Sequence, residues 1–87
     1  MNISRSEQRA LHVLALGGCI LPVRGDGPKT LSVTCITRDG MILADFNLIL
    51  FTRLRRRRLI ESRAGSPYRI SRRGRLAVRA QLDNQGA

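Results

Sequence analysis

The groups with which this 87-residue chain could do chemistry are guanidinium groups, and they are unevenly placed. Residues 47–87 contain eleven Arg against only Glu61 and Asp83, a net charge of +9. Residues 1–46 contain five basic and four acidic residues, a net charge of +1, which completes the +10 of the whole. The densest run is Arg53-Leu54-Arg55-Arg56-Arg57-Arg58, and Arg63, Arg69, Arg72, Arg73, Arg75 and Arg79 follow at short intervals. Such charge on a small domain opposes compaction and concentrates anionic partners, with nucleic acid and an acidic protein surface as the two candidates. Lys29 is the one basic residue of sixteen that is not Arg. The planar guanidinium fork suits bidentate phosphate recognition, but a GC-rich coding sequence produces the same bias, so the charge says more than the choice of cation.

Other chemistries find little to stand on. Cys19 and Cys35 form no C-x-x-C pair and His12 is the sole histidine. A structural zinc needs about four ligands, so two free thiols in a reducing compartment are expected instead. No Ser-His-Asp set, paired carboxylates or phosphate loop is visible. Gly17-Gly18 and Gly25-Asp26-Gly27 lack the spacing of a nucleotide-binding loop. The expectation is a chain that is not an enzyme and uses no cofactor or metal. Only Phe46, Phe51 and Tyr68 are aromatic, too few for a module that reads single strands by stacking. Leu16-Gly17-Gly18-Cys19 resembles a bacterial lipobox, yet the apolar run before it, Ala10 to Leu16, is short and broken by His12. No stretch approaches the roughly 20 apolar residues of a membrane span, and the chain reads as cytosolic.

Positioning these arginines requires a fold, and the sequence indicates one small α+β domain spanning 1–87, with a core from about 4 to 82 and a flexible tail at 83–87. Ser4-Arg5-Ser6-Glu7 is a capping-box pattern. It predicts a helix to about Leu16, stopped by Gly17-Gly18, with Leu11 and Leu14 facing the core. Cys19 to Val23 reads as an edge strand because of Pro22, and Gly25-Asp26-Gly27-Pro28 as a turn. Leu31, Val33 and Cys35 alternate with Ser32 and Thr34, the period of a half-buried strand. Asp39-Gly40 signals a type I′ hairpin to a third strand at Met41 to Ala44. Asn47 caps a second helix to about Arg57 with Leu48, Phe51 and Leu54 on its inner face and Leu50 at the margin. Ile49 lies outside with Arg53 and Arg56, and Arg55 to Arg58 sit where the helix dipole favours cations. Leu59 to Ser62 and Tyr68 to Ile70 form a hairpin with Arg63 to Pro67 at its tip, Tyr68 and Ile70 facing the core. Ser71 caps a last helix from Arg72 to about Leu82. There Arg72, Arg73 and Arg75 oppose the dipole at about 0.3 to 1 kcal/mol each, and Gly74 adds a helix penalty. The order is α-β-β-β-α-β-β-α, that of a winged-helix-like module.

Three segments, Ser4-Arg5-Ser6-Glu7-Gln8 leading into Leu11-His12-Val13-Leu14-Ala15, then Pro67-Tyr68-Arg69-Ile70, and finally Val78-Arg79-Ala80-Gln81-Leu82-Asp83-Asn84, occur in an order that resembles the YjhX family of bacterial toxins along essentially the whole chain. The resemblance implies a toxin partnered with an acetyltransferase-like antitoxin, inhibiting DNA topoisomerase I by direct protein binding, with no hydrolysis and no cofactor. It supplies no residue-level binding map. A second hypothesis, from form and charge alone, is a small basic DNA-binding regulator with the second helix in a groove and the Arg63 hairpin on the phosphates. Under either, the candidate partner-binding residues are Arg53, Arg56, Arg63, Arg72 and Arg73, whose charges have no local structural reason. A monomer or weak dimer is expected.

Overall fold

The computed structural model describes residues 3–24 and 30–85. Its elements are α1 (Arg5–Ala15), β1 (Cys19–Arg24), β2 (Thr30–Ile36), α2 (Leu48–Arg56), β3 (Ile60–Glu61), β4 (Arg69–Ile70) and α3 (Arg72–Gln85). This is a small α+β arrangement of three helices and two antiparallel hairpins. The expected turn at 25–28 lies outside the described residues.

The capping box forms as its spacing requires: the Glu7 N–H donates to Ser4 Oγ at 3.1 Å and the Ser4 N–H to Glu7 Oε1 at 3.2 Å. At the other end of α1, the Gly18 N–H donates to Val13 O and the Gly17 N–H to Leu14 O, with Gly17 at φ +107. That pair of bonds is a Schellman motif, which needs one left-handed residue.

In the first hairpin Cys19 pairs with Ile36 and Ile20 with Cys35, and the register shifts between Val23 and Arg24. Ile20 exchanges two backbone hydrogen bonds with Tyr68, at 2.8 and 2.9 Å, so the outer edge of β1 is stitched to the second hairpin. Pro22 has the same parity as Ile20, and its missing N–H therefore falls on that outer edge, where it costs no bond to β2.

The third strand of the expected meander shrinks to an isolated bridge between Ile36 and Ile42. The turn before it is also not type I′. Gly40 has φ +90 but Asp39 is not left-handed, Gly40 N–H donates to Thr37 O, and Thr37 N–H donates to Met41 O. This is the three-residue form with a bulge glycine, which shifts the returning chain and shortens its pairing. Two consecutive positive φ values occur instead at Ala64 (+51) and Gly65 (+78), closed by Ser66 N–H to Arg63 O. The I′-like turn thus belongs to the second hairpin, where alanine gave no sequence signal for it.

α2 is capped by Asn47 Oδ1, which accepts from the Leu50 N–H at 2.9 Å. Its buried residues are Leu50, Phe51 and Leu54. Leu48 is only half-buried, so the inner face is rotated towards Leu50 relative to the expectation. The core joins Leu11, Leu14, Ile20, Cys35, Phe51, Leu54 and Leu59, and Tyr68 meets Phe51 edge-on with ring centroids 5.0 Å apart. Val33 and Tyr68 are half-buried and packed against this core. Both cysteines are free thiols, and burial, with Cys19 nearby, pushes Cys35 up to about 11. No described helix is long and apolar enough to cross a membrane.

The α3 backbone runs three residues past the expected end at Leu82. Asp83, Asn84 and Gln85 contain no helix breaker, and glycine arrives only at Gly86. Gly74 has a reason beyond helix propensity: a Cβ there would lie 2.2 Å from Leu59 O and 2.7 Å from an Ile70 carbon. Glycine lets the first turn of α3 seat directly on the backbone that leaves α2.

Candidate functional site

Arg55, Arg57 and Arg58 are each held by a different local device, which separates them as structural cations from the available ones. Arg57 Nη1 donates to Glu7 Oε2 at 2.8 Å, and the Glu7 side chain is only 5% exposed. Glu7 therefore spends one oxygen on the cap of α1 and the other on the end of α2, fastening the two helices through residues 50 apart in sequence. Arg55 lies over the Phe51 ring, 5.5 Å from its centroid, a cation–π contact one helical turn along.

Arg58 differs from its neighbours. It takes φ +59 as the left-handed residue of a second Schellman motif, in which Leu59 N–H donates to Leu54 O and Arg58 N–H to Arg55 O. Its carbonyl then accepts from Ser71 Oγ–H at 2.7 Å, and Ser71 Oγ accepts from the Gly74 N–H at 3.0 Å. One buried hydroxyl thus joins the end of α2 to the start of α3, as the serine cap read from the sequence requires.

The predicted partner-binding residues fall into separate groups. Arg53 and Arg56 line a shallow groove on the outer side of α2 with Leu48, Ile49 and Thr52. Ile49 is 69% exposed, and the Thr52 hydroxyl is occupied with Leu48 O at 2.8 Å. Arg63 stands on the tip of the second hairpin and reaches Glu61 at 3.9 Å, both side chains largely in solvent. The tip itself is braced: Ser66 Oγ–H donates to Arg63 O, and Ser62 Oγ–H donates to Ser66 O. Arg63 shares a cleft with Arg69 and Arg75. Arg72 and Arg73 are exposed on the first turn of α3. Among the described residues, none of Arg53, Arg56, Arg72 and Arg73 has an acidic partner.

Sequence reasoning missed Arg69 and Arg75 as neighbours of Arg63. The hairpin register, Glu61 opposite Arg69, would have brought Arg69 to the same end. Arg57 was read only as a dipole-matched cation, because an ion pair to Glu7 depends on how α1 and α2 cross. No described group of three or more His, Cys, Asp or Glu residues could hold a metal ion.

Comparison with known proteins gives the chain its relatives. A UPF0386 protein of Cereibacter sphaeroides is 75% identical over the whole of both chains. One of Rhodospirillum rubrum is 70% identical over 99% of this chain and 96% of its own. One of Beijerinckia indica is 64% identical over 98% of this chain and all of its own. No solved structure matches. The YjhX toxin family, described as "Putative toxin of bacterial toxin-antitoxin pair", matches residues 1–85. The chain belongs to the YjhX toxin family.

Proposed function

We propose that this protein is the toxin of a toxin–antitoxin pair and acts in the cytoplasm by binding DNA topoisomerase I, thereby blocking relaxation of negatively supercoiled DNA. The family match over residues 1–85 supports the toxin part of the reading, and topoisomerase I as the target rests on what the resemblance implies. The surface is consistent with action by binding rather than turnover: Arg53, Arg56, Arg72 and Arg73 are exposed and lack acidic partners among the described residues. Such charges are available to an acidic protein surface, where complementarity raises the association rate and fixes register. The acetyltransferase-like antitoxin that the resemblance implies would compete for, or cover, the same cations.

A second reading is favoured by the cleft shared by Arg63, Arg69 and Arg75. In a winged-helix-like module the β3–β4 hairpin would serve as the wing and these three guanidiniums would meet phosphates. The two readings separate in one assay. Purified protein is added to topoisomerase I and negatively supercoiled plasmid, with the plasmid concentration varied at fixed protein. Inhibition at protein levels too low to coat the DNA, unchanged by excess competitor DNA, is the expected result. Inhibition that appears only when the plasmid is saturated, or vanishes with competitor, assigns the effect to substrate sequestration.

A further inference from the structure

Away from the arginine-rich half, a groove of about 590 Å³ lies between the last turn of α1 and the turn after β2. It is lined by Val13, Leu16, Thr37, Arg38, Asp39 and Met41. Leu16 and Met41 are 62% and 68% exposed, and Ile42, next in the chain, is 70% exposed. Met41 is not loose on this surface. Thr37 Oγ1 accepts from its N–H at 3.0 Å, and its carbonyl accepts from the Thr37 N–H at 2.7 Å. Ile42 is fixed by the bridge to Ile36, and the next residue, Leu43, donates to Cys35 O. The backbone therefore holds Met41, on the rim of a groove of mixed apolar and polar lining, and the neighbouring Ile42 out in water, and exposed large apolar side chains grouped in this way usually mark an interface.

Charge decides what covers it. The groove is lined by one cation, Arg38, and one carboxylate, Asp39, so its formal charges balance. Arg38 is followed by Asp39, and Arg9, one turn before Val13 on α1, is bonded to Asp45 at 2.8 Å. A partner drawn by the +10 charge of this protein would be drawn to the other half. A second copy carries the same +10 and is repelled by it, so it can approach closely only where charge is balanced. We infer that this face is a homodimer interface, with Met41 and Ile42 of each copy packed against the Leu16 groove of the other. In a two-fold contact the same patch meets itself, and the adjacent opposite charges at Arg38 and Asp39 pair crosswise between copies at the rim. The Arg38 side chain already lies on the end of α1, its Cδ 3.2 Å from where a Cβ on Gly17 would be. Both arginine-rich halves then remain outside the contact.

Sedimentation equilibrium of the full chain from about 1 µM to 1 mM tests this, a range that spans weak to moderate association. A concentration-dependent dimer is expected, weakened at least tenfold by Ile42→Arg and by Met41→Glu. Arg38→Asp and Asp39→Arg should each weaken it, and the double exchange should restore it. Far-UV circular dichroism checks that each variant keeps its fold, and all four positions are exposed, where substitution is well tolerated. A chain that is monomeric throughout the range overturns the proposal and leaves the face to a different protein. A dimer indifferent to Ile42→Arg and to the charge exchange overturns it equally, because the contact must then lie elsewhere.

Discussion

α1 and α2 end in the same way by hydrogen bonding and in opposite ways by sequence. Both close with a Schellman motif, but the left-handed position is Gly17 in α1 and Arg58 in α2. Glycine takes positive φ without penalty, whereas a residue with a Cβ loses about 1 kcal/mol there. The end of α1 is thus locally relaxed. The end of α2 retains strain, and it carries a carbonyl that receives Ser71 and a run of cations. Strain kept at a junction is a reason to look for function there.

The largest expected effect comes from the tie between these helices. Arg57→Ala leaves the Glu7 carboxylate buried without its guanidinium and should cost about 3 kcal/mol, read as a lower midpoint in urea unfolding. A loss below about 1 kcal/mol would mean that water reaches Glu7 and that the two helices are less tightly coupled than the geometry indicates. Next comes the direct contrast at the left-handed positions. Gly17→Ala should destabilise by roughly 1 to 2 kcal/mol, mainly through φ, since its new Cβ would meet only the flexible Arg38 side chain. Arg58→Gly should move the other way and gain about 0.5 to 1 kcal/mol. If both substitutions shift stability in the same direction, the two helix ends are not equivalent motifs and the comparison breaks.

The smallest effect on stability sharpens the contrast between structural and available cations. Arg72→Ala with Arg73→Ala removes two charges that oppose the dipole of α3, and should leave the melting temperature unchanged or raise it slightly. The same pair should weaken binding to the partner, measured by titration calorimetry. A double variant that unfolds markedly earlier while its folded fraction binds normally would place these arginines in the structure rather than on the interface.

Much of the fold was legible because it is written locally. The Ser4–Glu7 box, the Asn47 and Ser71 caps and the Gly17 stop are short-range codes, and each appears where its residues predict. What could not be read depends on how elements meet. The inner face of α2 turned towards Leu50 because three-dimensional packing, not periodicity alone, selects the buried stripe. Gly74 looked like a weak point of α3 until Leu59 O was seen against it. The left-handed Arg58 and Ala64 were invisible because neither residue type advertises positive φ. Of the candidate site, the charge was legible in full. Its division was not: only the fold assigns Arg57 to Glu7 and Arg55 to Phe51, and leaves Arg53, Arg56, Arg72 and Arg73 without acidic partners among the described residues.

The Glu7–Arg57 bond and the Ile20–Tyr68 stitch also set the timing of folding during synthesis. The first helix can cap itself as soon as it emerges, but its buried carboxylate has no counter-charge until 50 more residues have been made. The edge of β1 likewise waits for Tyr68. Contacts of such sequence separation form late because the intervening chain must first be ordered. A nascent or truncated chain lacking the second hairpin would expose an unpaired strand edge, and would be open to proteases and aggregation until translation is nearly complete.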